Sequence, residues 1–369
     1  MQEQPPSDQR PPAANFEIEL VSRGHGRGHA VPDIAIAREL TRLAPHIQID
    51  FVSYATGAET YRACGYPVTD IGAPEMPPFL DMVVALTRLF GQMEPGPRLI
   101  VSHEEIPAVV AAEILGIPCI FITDFFMDPS SMFMEALKSA SEIIFTAERG
   151  LYTEPPQLRG KIQYVGRAVR PFQYGLADRD RARTELGIPS DAAVMLVQPG
   201  AWVESRVPVA DLIMDTWKLI PHSPKRLIWL TGRDYDNLHS RFGDQPDLIL
   251  LREDWKIDRL MAASNVLITK ANRLTVYEAA ALGLPSVSLS NGANWPDDVA
   301  VANVDSNTPL VAESVTPELL VEAIMESISA TPSPATAVSG GVAGAATRLA
   351  EYIDQMLLQD QTGTAEANV

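Results

Sequence analysis

The sequence predicts two doubly wound α/β domains, each a parallel sheet covered by helices on both faces. Three observations carry this. The chain has 369 residues, enough for two domains of ordinary size. Short apolar, β-branched runs alternate with helical stretches along residues 16–330, the order of repeated βαβ units. Two of the strand-to-helix loops, at 23–29 and 270–273, carry glycines, histidines or cations where a simple turn would not need them.

Hydrophobic residues make up 46% of the chain and charged residues 21%, the balance of a globular protein. The formal net charge of −18 argues against general binding to nucleic acid or to an anionic membrane. A phosphate-bearing ligand therefore needs a local positive spot. The two cysteines, Cys64 and Cys119, lack metal-ligand spacing and are expected to be a buried, reduced pair. No apolar run approaches the roughly 18 residues of a membrane span. The polar, Pro-rich residues 1–15 are expected to be a disordered leader, residues 361–369 a disordered tail, and the location cytoplasmic.

In chain order, 16–22 reads as a strand ending in Arg23-Gly24-His25-Gly26-Arg27-Gly28-His29. A helix over 32–43 follows, with Pro32 in its first turn and Ile34, Ile36, Ala37 and Leu40 on its apolar face. Residues 47–53 return as a strand. The loop is not a dinucleotide fingerprint: its third glycine interval is wrong, and the second strand ends in Ser53-Tyr54 without an acid. Residues 61–71 read as a short helix and strand. The apolar, Met-rich stretch 76–93 reads as a buried helix, and the resemblance given below implies as an alternative a wall for a greasy acceptor. A strand over 99–102 meets His103-Glu104-Glu105 and a helix through Leu115, and the next strand, 119–123, ends at Asp124. Residues 103–105 thus lie at a strand's carboxyl end, where such folds place ligands. The plain alternative is acids set against a helix dipole. Strands at 143–146 and 162–165 complete the first sheet, and a charged helix spans 179–186.

The second domain opens with a strand over 193–198 that ends in Pro199-Gly200-Ala201-Trp202. A helix through Ile220, strands at 227–230 and 248–251, and a helix at 257–263 follow. Trp255 reads as a packed loop aromatic, and the resemblance given below implies as an alternative a wall of the nucleotide base. The stretch 265–291 is the most explicit in the chain. It reads as a strand over 266–269, a helix over 275–282 closed by Gly283 and Pro285, and a strand over 286–289. The free N–H groups at such a helix start attract a phosphate. Thr275 and Glu278 are three residues apart, which suits a capping box. The alternative is a carboxylate that accepts from ribose hydroxyls. A helix over 317–329, a Pro/Ser/Gly linker over 331–344 and a last helix over 345–360 end the chain.

Lys270, Thr275, Glu278, Gly283 and Pro285 fit the pattern Arg-x-Gly-Ala-x-Thr-x-x-Glu-x-x-x-x-Gly-x-Pro. The stretch therefore resembles the nucleotide-binding segment of GT-B glycosyltransferases, in particular the UDP-N-acetylglucosamine transferases of peptidoglycan lipid-intermediate synthesis. His29-Ala30-Val31-Pro32 is similar to the His-x-x-Pro of the superfamily's first loop, and 165–171 to its crossover segment. The resemblance implies two Rossmann-like domains facing a cleft, with 16–170 taking the acceptor and 171–330 the nucleotide sugar. The last helix packs back on the first domain. The implied reaction moves a sugar from a UDP-sugar donor to the hydroxyl of a small-molecule or lipid-linked acceptor, with membrane contact at most peripheral.

By the resemblance to relatives that act on small acceptors, His29 is the base, and the carboxylate that orients it falls nearest His103 or Glu104, of which Glu104 is the acid. Gly26, Gly28, His103, Glu105 and Asp124 lie on the acceptor side. Gly200 and Ala201 stand in the phosphate loop, and Lys270, Asn272, Arg273 and Thr275 surround the diphosphate. Glu278 takes the ribose, and Asp298 lies where relatives contact the sugar. Asn272 and Arg273 replace the usual Gly-Ala, and Arg273 adds a charge there. No cofactor and no metal are expected, although Asp234-Tyr235-Asp236 matches the Asp-x-Asp metal motif of the other large glycosyltransferase fold. Two other readings stay open: a nucleotide-sugar hydrolase or epimerase of the same architecture, and a non-catalytic sugar-nucleotide-binding subunit.

Overall fold

A computed structural model describes residues 16–126, 131–198, 209–254, 256–290, 296–329 and 340–366. The leader, Gly200, Ala201, Trp202, Trp255, residues 291–295, most of the expected linker and residues 367–369 lie outside the described residues. The chain forms two units. Unit 1 takes in the described residues up to Thr146, Glu154–Val165 and the chain from Val342 onward; unit 2 takes in Ala147–Thr153 and Gly166–Gly341.

Unit 1 is built on β1 (Phe16–Ser22), α1 (Ala30–Leu43), β2 (Ile47–Ser53), α2 (Ala55–Ala63), β3 (Thr69–Asp70) and α3 (Phe79–Gln92). β4 (Leu99–His103), α4 (Ile106–Leu115), β5 (Cys119–Thr123), α5 (Met132–Leu137), β6 (Glu142–Phe145) and β7 (Ile162–Tyr164) follow. The seven strands are parallel, in the order β3-β2-β1-β4-β5-β6-β7. The order reverses between β1 and β4, the switch point at which an open α/β sheet leaves a crevice at its carboxyl edge. Alternation along β1 sends Phe16, Ile18 and Leu20 into one core with Ile34, Ile36 and Leu40 of α1. Glu17 and Glu19 face the other way, and Glu19 is nonetheless only 7% exposed.

Unit 2 holds α6 (Arg179–Leu186), β8 (Ala193–Gln198), α7 (Val209–Leu219), β9 (Lys225–Leu230), α8 (Tyr235–Phe242), β10 (Leu248–Leu251) and α9 (Ile257–Ala263). It continues with β11 (Val266–Lys270), α10 (Arg273–Leu282), β12 (Ser286–Ser290), α11 (Pro296–Ala302), β13 (Asn307–Val311) and α12 (Pro317–Ser329). Its six strands are also parallel, in the order β10-β9-β8-β11-β12-β13, with the reversal between β8 and β11. β11 is covered on both faces, as a central parallel strand must be. Val266 and Ile268 join Ile213 of α7 and Leu320 of α12, while Leu267 joins Leu260 of α9 and Ala279 of α10.

Four expectations are corrected. The last helix, α13, runs Gly341–Glu366, so it starts inside the expected linker and continues through the first residues of the expected tail. The glycines that suggested a linker serve close packing: a Cβ on Gly344 would stand 2.9 Å from the Cβ of Val165. Ala345, Leu349 and Ile353 of α13 join the unit 1 core. The stretch 76–93 is amphipathic rather than wholly buried. Met82, Val83, Leu86 and Phe90 are covered, whereas Met76, Leu80 and Val84 are exposed. Of the two cysteines, only Cys119 is buried; Cys64 is half-buried. α10 begins two residues earlier than expected, at Arg273, because Asn272 and not Thr275 caps it.

Candidate functional site

In unit 1 the register sets the site. Ser22 and His103 are partners across β1 and β4, so their side chains share one face. α1 lies on that face and delivers Asp33 from its first turn, where an acid also suits the helix dipole. Asp33 is fully buried. It accepts from the Nδ1–H of His103 at 2.7 Å, from the Ser22 hydroxyl, and from the Tyr61 hydroxyl at 3.5 Å.

One residue beyond β4, Glu104 sits at φ 55, in the left-handed region that a carboxylate side chain seldom takes. That backbone turn lets Glu104 leave the strand's alternation. Its Oε2 accepts from the Nε2–H of His29 at 3.0 Å, and its Oε1 accepts from Thr123 at the end of β5 at 3.0 Å. His29 is the N-cap residue of α1 but makes no side-chain cap bond, so the ring is free for this contact. The two imidazoles meet edge to face, with centroids 5.0 Å apart. Glu105 accepts from Tyr54 at 2.8 Å.

Burial pulls the His29 pKa below its ordinary value, with the Glu104 carboxylate opposing, so the neutral ring is favoured. Burial pulls on His103 in the same direction, but the Asp33, Glu104 and Asp124 carboxylates together outweigh it and the net shift is upward. Burial raises Glu105 against the Tyr54 hydrogen bond. With Nε2–H on Glu104, the lone pair of His29 is at Nδ1, an atom that is buried and has no hydrogen-bond partner among the described residues. A carboxylate on one nitrogen and a lone pair on the other is the arrangement of a general base. His25 is not part of it; it stands 3.9 Å from Glu75.

The glycines of the first loop divide by purpose. Gly26 takes a left-handed φ of 68. Gly24 is fixed by packing, since a Cβ there would lie 2.4 Å from Tyr54. Gly28 would meet nothing within 4 Å.

In unit 2 the corresponding place is the end of β11. Asn272 caps α10 by accepting from the Thr275 N–H at 3.1 Å, and Gly283, at φ 76, ends the helix by donating to the Ala279 and Ala280 carbonyls. The capping-box reading of Thr275 and Glu278 therefore fails: Glu278 lies a turn too far along. It is 3% exposed and its Oε1 is 2.7 Å from the Nε of Arg170. Burial raises the Glu278 pKa and Arg170 opposes the rise. Arg273 is likewise occupied, at 2.8 Å from Asp297 of α11. Lys270 makes no ion pair among the described residues. Asp298 is buried in α11, and Asp236 of the Asp-x-Asp triplet accepts from Arg252 at 2.8 Å.

The structure thus brings His29, His103 and Glu104 together in unit 1 and sets Lys270, Asn272, Arg273, Thr275 and Glu278 around one helix start in unit 2. Asp124 follows β5 directly. Sequence reasoning missed Asp33, Tyr61, Thr123 and Arg170. Asp33 carried a signal, as an acid four residues after His29 on an otherwise apolar helix face. Arg170 lay within the crossover segment already singled out.

No family model matches the chain. It is 22% identical over 375 residues to the UDP-N-acetylglucosamine--N-acetylmuramyl-(pentapeptide) pyrophosphoryl-undecaprenol N-acetylglucosamine transferase of Acetivibrio thermocellus, covering 93% of this chain and 99% of the relative. The glycotransferase of kitacinnamycin superposes with a TM-score of 0.67 at 19% identity, over 92% of this chain and 98% of that one. The UDP-GlcNAc 2-epimerase of Methanocaldococcus jannaschii gives 0.62 at 13%, over 91% and 100%. These structural likenesses bear on the fold. The chain therefore has the GT-B fold of two doubly wound parallel-sheet units and is similar, along almost its whole length, to a curated glycosyltransferase.

Proposed function

We propose that the chain is a glycosyltransferase that moves a sugar from a UDP-sugar to an acceptor hydroxyl. The observation that carries the reading is the His29–Glu104 pair, with its unpartnered Nδ1, at the switch point of the unit 1 sheet. The acceptor O–H gives its proton to Nδ1 as the oxygen bonds to the anomeric carbon. The bond from that carbon to the diphosphate breaks, and UDP leaves with the electron pair. Glu104 fixes the tautomer and supports the imidazolium. His103, Glu105, Asp124, Gly26 and Gly28 form the acceptor side.

The donor belongs to unit 2. The α10 N-terminus, Lys270 and Arg273 offset charge on the diphosphate without a metal, with Gly200 and Ala201 of the phosphate loop. Glu278 accepts from the ribose once Arg170 yields it, and Asp298 serves the sugar end. No other cofactor is required. The undecaprenol-linked substrate in the relative's name supports a lipid-linked acceptor, with a small molecule as the other class. No helix among the described residues is long and apolar enough to cross a membrane. The proposed contact with a lipid acceptor is peripheral and on the cytoplasmic side.

The epimerases that share the fold support a second reading, a nucleotide-sugar epimerase or hydrolase. The test is calorimetric binding against a panel of nucleotides, followed by consumption of the bound donor with and without acceptors. UDP binding with acceptor-dependent consumption is expected. Consumption or isomerisation without acceptor selects the second reading. Binding with no turnover of any donor makes the chain a binding subunit.

A further inference from the structure

We infer that His29, His103 and Glu104 form a binding site for a divalent transition-metal ion of the zinc type, and that the ion, when bound, withdraws the base. One donor atom from each residue lies within 4.8 Å of the other two. The Nε2 of His29 and Oε2 of Glu104 are already 3.0 Å apart. Two ligands of one zinc ion, at bonds of about 2.0–2.1 Å and a tetrahedral angle, stand about 3.3 Å apart. That pair is close to ligand spacing, and the donor atom of His103 lies within 4.8 Å of both.

The surroundings are those that metal-binding histidines need. His103 gives its Nδ1–H to the buried carboxylate of Asp33 at 2.7 Å, which leaves Nε2 as the ring's donor atom. Asp33 is itself held by Ser22 and Tyr61. The second oxygen of Glu104 is held by Thr123 at 3.0 Å, and its left-handed backbone aims the carboxylate at His29. Two imidazoles and one carboxylate suit zinc, cobalt or iron(II) better than magnesium or calcium, which prefer an all-oxygen shell. Three protein ligands leave a position for water.

An ion on either nitrogen of His29 stops the ring from accepting a proton. Bound at Nδ1 it takes the lone pair; bound at Nε2 it moves the proton to Nδ1. This consequence rests on the reading of His29 as base; the site itself does not.

The test is titration of the full-length chain, stripped with a chelator, with Co2+ and then Zn2+. Visible absorption reports the coordination, and metal content is measured after dialysis. One equivalent of bound Co2+ with the bands of a four- or five-coordinate site, displaced by Zn2+, is expected. Asp33→Asn should weaken binding about 10–100-fold, Glu104→Gln, which removes a ligand, should weaken it further, and His25→Ala should leave it unchanged. No retained ion, or retention that Glu104→Gln does not alter, overturns the site; His29→Gln repeats the test should Asp33→Asn fail to fold. Donor consumption is followed alongside, in chelator and in Zn2+. Full turnover in chelator that Zn2+ abolishes is expected. Turnover in both overturns the inhibition, and binding without turnover in chelator rejects His29 as base while keeping the site.

Discussion

The two switch points hold their polar groups in opposite ways. In unit 1 the groups satisfy one another: Asp33 holds His103, Glu104 holds His29, and Thr123 and Tyr61 hold the acids. The Nδ1 of His29 keeps a lone pair with no hydrogen-bond partner among the described residues. In unit 2 the side chains expected to meet a donor are held by opposite charges, Glu278 by Arg170 and Arg273 by Asp297. Proton transfer needs a fixed tautomer before the substrate arrives, so a rigid mutual network suits it. A charged donor can exchange partners with ion pairs, so a set of occupied charges suits binding and release.

If the unit 1 network is the more tightly made, its keystone should be the costliest to remove. Asp33→Ala leaves His103 without its acceptor in a buried place and leaves Ser22 and Tyr61 only each other. It should lower stability by roughly 3–5 kcal/mol, the scale for stripping one partner from a buried charged set. Denaturant unfolding checks this, and a loss near zero would mean that the network is ornamental to folding.

In unit 2 the effect should fall on binding instead. Glu278→Ala should weaken UDP binding by roughly 1.5–3 kcal/mol, the range for hydrogen bonds to a charged group. Calorimetry reads it directly. Unchanged affinity with a lowered melting temperature would make Glu278 a structural partner of Arg170 alone.

A third change probes the unit 1 sheet away from the site. Burial, with Asp50 and Glu17 adding repulsion, raises the Glu19 pKa to about 8. Between an ordinary carboxylate value and about 8 the folded state holds a proton that the unfolded chain has lost, so stability falls as pH rises through that window. The slope is roughly 1.4 kcal/mol per pH unit. Glu19→Gln should therefore stabilise the protein more at pH 8 than at pH 5, by up to roughly 3–4 kcal/mol. Equal gains at both values would show that Glu19 is ionised in the fold. The smallest expected effect is on α10: Asn272→Ala should cost about 1 kcal/mol through its cap, measured by thermal unfolding.

Much of the fold was legible because parallel strands buried on both faces read as short apolar runs, as at 266–269 and 119–123, and because Gly283 and Gly187 mark helix ends. The last helix was misplaced because Gly341 and Gly344 look like a linker in sequence and act as packing contacts in space. His29 and Glu104 could be singled out, since a His-x-x-Pro context and acids at a strand end are local patterns. Their pairing was implied by the resemblance alone and not by the residues, because it depends on the register of β1 against β4 and on the left-handed turn at Glu104. Nor did the residues imply the pairing of Arg170 and Glu278, 108 residues apart in sequence and joined by an ion pair. The strongest motif in the sequence thus located its helix, while its side-chain partners came from tertiary packing.

The division of labour between the units is tested most directly by measuring kcat and donor affinity on one preparation each of the parent and His29→Ala. The account predicts a fall in kcat of about 10²–10⁴-fold, the scale for loss of a general base, with donor Kd nearly unchanged. Because burial lowers the His29 pKa, the acid limb of the parent's kcat profile should lie below the ordinary histidine value and vanish in the variant. Equal kcat in parent and variant, or an acid limb that survives the substitution, would contradict it.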